Sequence, residues 1–189
     1  MIDWTFITFG LPHSGKSSFG EKLSSEYNFI HINLGEILRG KLRDTDIPND
    51  KKSIFQAAIR NGEMLERNII NKLIKERLEN NFAKPIIFDG FPRYESAMID
   101  FYDFMNKFNR EIKNVRLLKF EIDVNESIAL QKKRNPLKSI KSINNRIDHY
   151  FNEELAVFNN MKRNHKHFIL PWKNGFDYNY KLVTSSLTV

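Results

Sequence analysis

The chain has 189 residues, 41% hydrophobic and 28% charged, with no cysteine and a formal net charge of +7. This length predicts one domain with a substantial core, and the lack of cysteine excludes disulfides, thiolate metal sites and cysteine nucleophiles. No apolar run approaches bilayer length, and the early Asp3 without a basic leader indicates a first strand rather than a signal peptide, so we expect a cytoplasmic protein without a membrane partner.

Apolar runs and helical segments alternate along the chain. The runs predict strands at residues 4–9, 29–32, 85–88, 115–122 and 167–171. Segments of helical period lie at 15–27, 34–43, 51–59, 62–80, 94–108, 125–134 and 142–163, and Pro136 is expected to end one of them. The alternation predicts an α/β fold, in which a five-stranded parallel sheet is flanked by helices on both faces. Ligands of such sheets bind beyond the carboxyl ends of the strands, where Gly10, Asn33 and Asp89 fall.

The stretch GLPHSGKS, residues 10–17, follows the first predicted strand and opens the first predicted helix. Glycine, four residues and then Gly-Lys-Ser is the pattern of a loop whose backbone N–H groups surround phosphates. The helix adds its N-terminal partial positive charge, Lys16 can reach the outer phosphates, and the Ser17 hydroxyl can ligate Mg²⁺. A surface turn that matches by chance is the alternative, which the flanking strand and helix disfavour. The stretch therefore predicts a bound nucleoside triphosphate.

A second motif, DGFPR, follows the third predicted strand at residues 89–93. Asp89 ends the strand beside the predicted phosphate loop and is placed to hold Mg²⁺ through its water shell. Arg93 offers a planar guanidinium that suits a phosphate. An ordinary tight turn is the alternative, since Asp-Gly and Pro are common turn residues.

Together with NLGEILR at 33–39, NGEML at 61–65 and RIDHY at 146–150, the two motifs resemble the adenylate kinase family of nucleoside monophosphate kinases. The resemblance implies a three-layer P-loop NTPase fold in a single domain, residues 1–189. It also implies a helical insertion at about 34–68 that binds the monophosphate, and a short lid at about 135–145. The implied reaction transfers the γ-phosphoryl group of ATP, with Mg²⁺, to a nucleoside monophosphate, with AMP as the family default.

The same resemblance implies roles for individual residues. The ATP-binding residues would be Gly10, Pro12, His13, Ser14, Gly15, Lys16, Ser17 and Ser18. The acceptor-binding residues would be Leu34, Gly35, Arg39, Gly62, Met64, Gly90, Phe91 and Arg93. Lys16, Arg93, Arg134 and Arg146 would be catalytic, and Ser17 and Asp89 would hold the metal, Asp89 through water. We expect a monomer.

The chain departs from the family in the lid, where NPLKSIKSINN at 135–145 lacks the Gly-Arg and paired acidic residues of short-lid members. We therefore expect slow transfer with ATP hydrolysis as a side reaction. Lys138 and Lys141 are expected to matter less than Arg134 and Arg146, because mobile exposed ammonium groups are screened and strongly hydrated.

Other departures concern the acceptor base and the phosphate loop. Leu34 and Ala97 stand where the family has a threonine and a base-reading amide, which leaves the preferred base open. His13 stands where the loop usually has glycine, and we expect its side chain to point outward.

Two other classes of function compete with the kinase. A nucleotide-binding regulatory or assembly protein with weak transfer and ATPase activity would suit the altered lid. The presence of the arginines that match the family, Arg39, Arg93, Arg134 and Arg146, argues against it. A nucleic-acid binder would suit the net charge of +7. It ranks last, since no aromatic and basic recognition module is visible.

Overall fold

A computed structural model of the protein describes residues 3–44, 48–79 and 84–187. It contains a five-stranded sheet in the order β2-β3-β1-β4-β5, in which all neighbouring strands are parallel. The strands are β1 Thr5–Phe9, β2 Ile30–Asn33, β3 Ile86–Asp89, β4 Val115–Glu121 and β5 Lys166–Pro171. The predicted α/β fold with a five-stranded parallel sheet is confirmed, as is the existence of each strand.

The helices connect the strands and cover both faces of the sheet. Within the described ranges they are α1 Lys16–Tyr27, α2 Leu34–Arg43, α3 Asn49–Asn61, α4 Arg67–Glu79, α5 Glu95–Lys107, α6 Val124–Arg134, α7 Ile140–His149, α8 Leu155–Met161 and α9 Phe176–Thr184. A π-turn at Tyr150–Glu154 joins α7 to α8. None of these described helices combines the length and apolar content needed to cross a membrane.

The core forms two layers, one on each face of the sheet. Every residue of β1 is buried, as expected for a central parallel strand covered on both sides. Successive side chains point to opposite faces, so Ile7 packs in the cluster beneath α4, α5 and α8, whereas Phe6 packs beneath α1 and α9. The sheet and its two layers therefore form a rigid base for the loops at the carboxyl edge.

Two helix predictions need correction, and one helix was not predicted. The helix predicted over 62–80 begins at Arg67, because Gly62 adopts a left-handed conformation (φ 71°) that ends α3; its predicted end at residue 80 lies outside the described residues. The helix predicted over 142–163 begins at Ile140, where Ser139 caps it, and the π-turn interrupts it. Helix α9, of nine residues, was not predicted; its residues Tyr180 and Val183 are buried in the core layer on the α1 side of the sheet.

Candidate active site

The phosphate-binding loop joins β1 to α1 at the carboxyl edge of the sheet, in a tight conformation. Gly10 has φ 141°, and a Cβ atom there would collide with the Phe120 carbonyl oxygen. Only glycine fits that position. His13 has φ 64°, in the left-handed region where Asn, Asp and His are the non-glycine residues most often found. The backbone thus turns as a phosphate cradle must, with histidine at a position that suits glycine.

Lys16 lies in the first turn of α1, and its ammonium group folds back over the loop. Its Nζ donates to the Gly10 carbonyl at 2.5 Å and to the Leu11 carbonyl at 2.7 Å. Burial lowers the pKa of Lys16, while the carboxylates of Glu154 and Asp89 act against that shift. The Lys16 ammonium group thus donates to neutral carbonyl oxygens. An anion with full negative charge is a stronger acceptor and can replace them.

Ser17, in the first turn of α1, lies beside Asp89 at the end of β3. Ser17 Oγ donates to Asp89 Oδ2 at 2.6 Å, and Asn33 Nδ2 donates to the same oxygen at 2.9 Å. Burial acts to raise the pKa of Asp89, but the neighbouring His31 and Lys16 lower it to about 2. The site therefore presents a hydroxyl and an ionised carboxylate, the hard oxygen donors that Mg²⁺ prefers. The described residues contain no group of three or more His, Cys, Asp or Glu side chains suited to a metal.

Glu154 is a buried carboxylate that links the phosphate-binding loop to Arg93. Its Oε1 accepts the Gly10 N–H at 2.9 Å, and its Oε2 lies 3.7 Å from Arg93 Nε. Arg93 Nε is itself buried and makes no hydrogen bond among the described residues. Glu154 therefore fixes the start of the loop and balances part of the positive charge around it.

Four arginines from separate elements face one cavity. Arg39 comes from α2, Arg93 follows β3, Arg134 ends α6, and Arg146 lies on α7. One guanidinium nitrogen of Arg146 donates to the Ile59 carbonyl at 2.8 Å. Burial lowers the pKa of Arg146, and repulsion from Arg93 and Arg39 lowers it further. Arginines that repel one another in a cleft form a strong binding site for an anion.

The cavity has a volume of about 370 Å³, and most of the residues predicted for the site line it. These are Gly10, Pro12, His13, Gly15, Lys16, Ser17, Ser18, Leu34, Gly35, Arg39, Gly62, Met64, Asp89, Arg93, Arg134 and Arg146. Ser14, Gly90 and Phe91 do not line it. Phe91 is buried against Phe88 and Phe104, so its side chain supports the turn from inside the core.

His13 differs from the sequence expectation, because its half-buried side chain lines the cavity instead of pointing outward. Burial lowers the pKa of His13, and Arg134, Lys138, Lys16 and Arg146 lower it further. Because its pKa is lowered, the His13 imidazole stays neutral at a lower pH than an ordinary histidine. It can therefore face phosphates as a neutral hydrogen-bond donor.

Several cavity residues were not predicted as site residues, among them Glu63, His149, Tyr150, Glu154 and Trp172. Trp172 follows β5 directly and could have been found by the same carboxyl-edge rule that selected Gly10 and Asp89. Tyr150 and Glu154 are four and eight residues after Arg146, and this helical spacing was a usable signal for Tyr150. The π-turn that carries Glu154 has no comparable sequence signature.

The parallel sheet, the glycine-containing loop before α1 and the anion-binding cavity at the carboxyl edge define a P-loop fold of the α/β class. The family model for adenylate kinase matches residues 8–166, and the chain belongs to that family.

Individual relatives are distant and match only part of their own length. An adenylate kinase of Pelagibacter ubique is 27% identical over 150 residues, which are 78% of this chain and 66% of that protein. An adenylate kinase of Petrotoga mobilis is 30% identical over 130 residues, or 68% of this chain and 56% of that protein. UMP-CMP kinase 2 of Oryza sativa subsp. japonica is 32% identical over 98 residues, or 51% of this chain and 39% of that protein. The chain thus matches between 39% and 66% of the length of these relatives.

Proposed function

We propose that the protein is an ATP-dependent nucleoside monophosphate kinase, which transfers the γ-phosphoryl group of ATP to a nucleoside monophosphate. The observation that supports this most is one cavity lined both by the phosphate-binding loop and by four arginines, Arg39, Arg93, Arg134 and Arg146. A phosphate-binding loop and several arginines in one cavity suit two phosphate-bearing substrates bound next to each other. Membership of the adenylate kinase family supports the same reaction and disfavours a purely regulatory nucleotide-binding role.

The donor would bind on the phosphate-binding loop. Lys16 would exchange its carbonyl partners for phosphate oxygens, and the loop N–H groups would hold the phosphates in place. Ser17 would ligate Mg²⁺ and Asp89 would hold it through water, and the ion would supply neutralisation of phosphate charge. This hydroxyl and ionised carboxylate fit the ion, because they are hard oxygen donors held next to each other.

The acceptor would bind between α2, α3 and the residues after β3. Its phosphate would meet Arg39, Arg93 and Arg146, which would orient it in line with the γ-phosphoryl group. The transfer needs no nucleophilic side chain, because positioning and charge neutralisation do most of the work. Residues 34–68 would form the acceptor-binding insertion and the segment after α6 the lid.

The acceptor base would lie against an apolar wall formed by Leu34, Leu38, Ala58, Met64 and Ile70. Ala97 is fully buried and does not line the cavity, and its side chain carries no amide with which to read the base. AMP is the first acceptor to test, since two of the relatives are adenylate kinases; UMP and CMP come next, since the third is a UMP-CMP kinase.

The test incubates the protein with labelled ATP, Mg²⁺ and each nucleoside monophosphate in turn, beside a Lys16→Ala variant. We expect labelled nucleoside diphosphate from the parent with at least one acceptor, and a loss of about 10²-fold or more in Lys16→Ala. Circular dichroism of both proteins controls for folding. A Lys16→Ala variant as active as the parent would contradict the proposal.

A further inference from the structure

Asn33 is the last residue of β2 and the residue that caps α2. It is only 6% exposed and lines the cavity. The sequence predicted its place at the carboxyl edge of the sheet, without a role of its own. Both ends of its side-chain amide group are in use, Nδ2 as a hydrogen-bond donor and Oδ1 as an acceptor. A buried amide that makes contacts at both ends fixes the elements on either side relative to each other.

The nitrogen end of this amide group contacts the Ser17 and Asp89 pair. Asn33 Nδ2 donates to Ser17 Oγ at 3.0 Å and to Asp89 Oδ2 at 2.9 Å. Since Ser17 Oγ donates to the same carboxylate oxygen at 2.6 Å, the three polar atoms form a closed triangle. A hydroxyl has one proton and two lone pairs, so Ser17 Oγ retains one lone pair with which to ligate Mg²⁺. The orientation of the hydroxyl is therefore set before an ion binds.

The oxygen end of the amide group holds the start of α2. Asn33 Oδ1 accepts the Glu36 N–H at 2.9 Å, which is the usual bond of an N-cap asparagine. A Cβ atom on Gly35 would be 3.3 Å from that oxygen and 3.4 Å from Arg39 Nη1. The Asn33 amide and the Arg39 guanidinium thus pack against the same glycine, and Arg39 lines the cavity.

The residue type at position 33 decides whether both contacts can form. Serine, threonine, aspartate and asparagine all cap helices with a side-chain oxygen. Among these four, only asparagine carries its donor and its acceptor on separate atoms. Serine would use its single oxygen for the cap, and aspartate would have no proton for the Asp89 carboxylate. Asparagine is therefore the cap that also reaches the neighbouring strand end.

We propose that Asn33 is a positioning residue that joins the Mg²⁺-binding pair, Ser17 and Asp89, to the acceptor-binding helix α2. Through Nδ2 it holds the hydroxyl and the carboxylate in the arrangement that accepts the ion. Through Oδ1 it holds the start of the helix that carries Arg39. The inference rests on the proposed function and gives Asn33 a role toward both ligands of that reaction.

The first test measures the affinity of Mn²⁺ for the protein–ATP complex by electron paramagnetic resonance, which counts the free ion. Mn²⁺ suits the same oxygen ligands as Mg²⁺. Asn33→Ser removes the amide donor and keeps a helix cap. We expect it to weaken Mn²⁺ binding about 10-fold, as is usual when a group that orients metal ligands is lost. The Mn²⁺ affinity of ATP alone gives the baseline, and a parent complex that holds Mn²⁺ no better than ATP alone would contradict the inference.

The second test compares Asn33→Ser with Asn33→Ala in steady-state transfer. Both variants lose the amide donor, so kcat should fall about 10-fold or more in each. Only Asn33→Ala also loses the cap of α2. We expect it to raise the KM for the monophosphate about fivefold, whereas Asn33→Ser should leave that KM within about twofold of the parent value.

Asp123→Ala is the control for loss of a helix cap. Asp123 is exposed, accepts the Asn125 and Glu126 N–H groups at the start of α6, and is not among the residues that line the cavity. In urea unfolding without nucleotide or metal, we expect Asp123→Ala and Asn33→Ala both to lower the midpoint. Only the Asn33 variants should change Mn²⁺ affinity, and an equal change in Asp123→Ala would show that general destabilisation is the cause.

Mn²⁺ affinity in Asn33→Ser equal to that of the parent would overturn the inference, as would an acceptor KM that rises as much in Asn33→Ser as in Asn33→Ala. The Mn²⁺ measurement needs no acceptor, so it separates the inference from the proposed function. If no monophosphate is phosphorylated but Asn33→Ser weakens Mn²⁺ binding about 10-fold, the proposed reaction fails and the role of Asn33 at the metal pair stands. If transfer occurs and Mn²⁺ binding is unchanged in Asn33→Ser, the reaction stands and the inference fails.

Discussion

Glu154 is a buried carboxylate that contacts the phosphate-binding loop and balances part of the positive charge of the cavity. It accepts the Gly10 N–H and lies beside Arg93, and its charge counteracts the burial that lowers the pKa of Lys16. It also contributes, after burial, to the rise of the pKa of Tyr150 to about 12. No short motif surrounds Glu154, so only the folded chain brings it to Gly10, 144 residues away in sequence.

Replacing Glu154 should separate its hydrogen bond from its charge. Glu154→Gln keeps an oxygen that can accept the Gly10 N–H, whereas Glu154→Ala leaves that buried donor without a partner. We expect Glu154→Ala to lower the free energy of unfolding by about 1–3 kcal/mol, and Glu154→Gln to cost less. Urea unfolding measures both, and equal losses would show that the hydrogen bond to Gly10 contributes little.

Arg93 should act on the acceptor side of the reaction. Its buried Nε has no hydrogen-bond partner among the described residues, and the side chain faces the cavity. We expect Arg93→Ala to raise the KM for the monophosphate and to lower kcat, with a combined effect of about 10²-fold or more. Arg93→Lys should recover part of this, since it keeps the charge but not the planar guanidinium. Steady-state kinetics with each substrate varied provide the measurement. An equal rise in the KM for ATP would contradict the assignment of Arg93 to the acceptor.

Among the elements, α3 and α7 make the contact between the predicted acceptor insertion and the segment at the end of the predicted lid. The Asn145 amide donates to the Asn61 carbonyl at 3.0 Å, and Arg146 donates to the Ile59 carbonyl at 2.8 Å. Gly62 follows directly after α3, and a Cβ atom there would be 2.8 Å from the Ser142 carbonyl oxygen and 2.9 Å from Arg146 Cγ of α7. The contact therefore depends on a residue without a side chain.

Gly62→Ala should strain this contact and displace Arg146. The left-handed backbone alone costs on the order of 1 kcal/mol for alanine, and the two close approaches add to it. Asn28→Ala is the control, since exposed Asn28 caps α1 in the same left-handed conformation (φ 57°), away from the cavity. We expect both variants to lose stability in urea unfolding, but only Gly62→Ala to lower transfer by about 10-fold or more. Equal transfer by the two variants would mean that the position of Arg146 does not limit the reaction.

At the scale of the whole molecule, local patterns predicted the fold well. The strands follow apolar runs, and the loop at 10–17 and the turn at 89–93 follow spacing rules, because these features depend on neighbouring residues. The position of the His13 side chain in the cavity and the contact of Glu154 with Gly10 depend on residues distant in sequence. Periodicity carries no information about such contacts, so these parts of the site required the structure. Exposure is the clearest case. From the sequence we expected both Lys138 and Lys141 to be exposed, but Lys138 is half-buried and only Lys141 is exposed.

The central claim is that the phosphate-binding loop and the arginines of the cavity serve one transfer reaction between two nucleotides. The most direct measurement follows the γ-label of ATP in the parent protein, with and without a nucleoside monophosphate, and determines its partition between nucleoside diphosphate and free phosphate. We predict that an acceptor directs most of the label into the diphosphate. Free phosphate should form as a slower side product, because the short segment between α6 and α7 excludes water less completely than a longer lid. Label that appears only as free phosphate, at a rate that no monophosphate changes, would contradict this account.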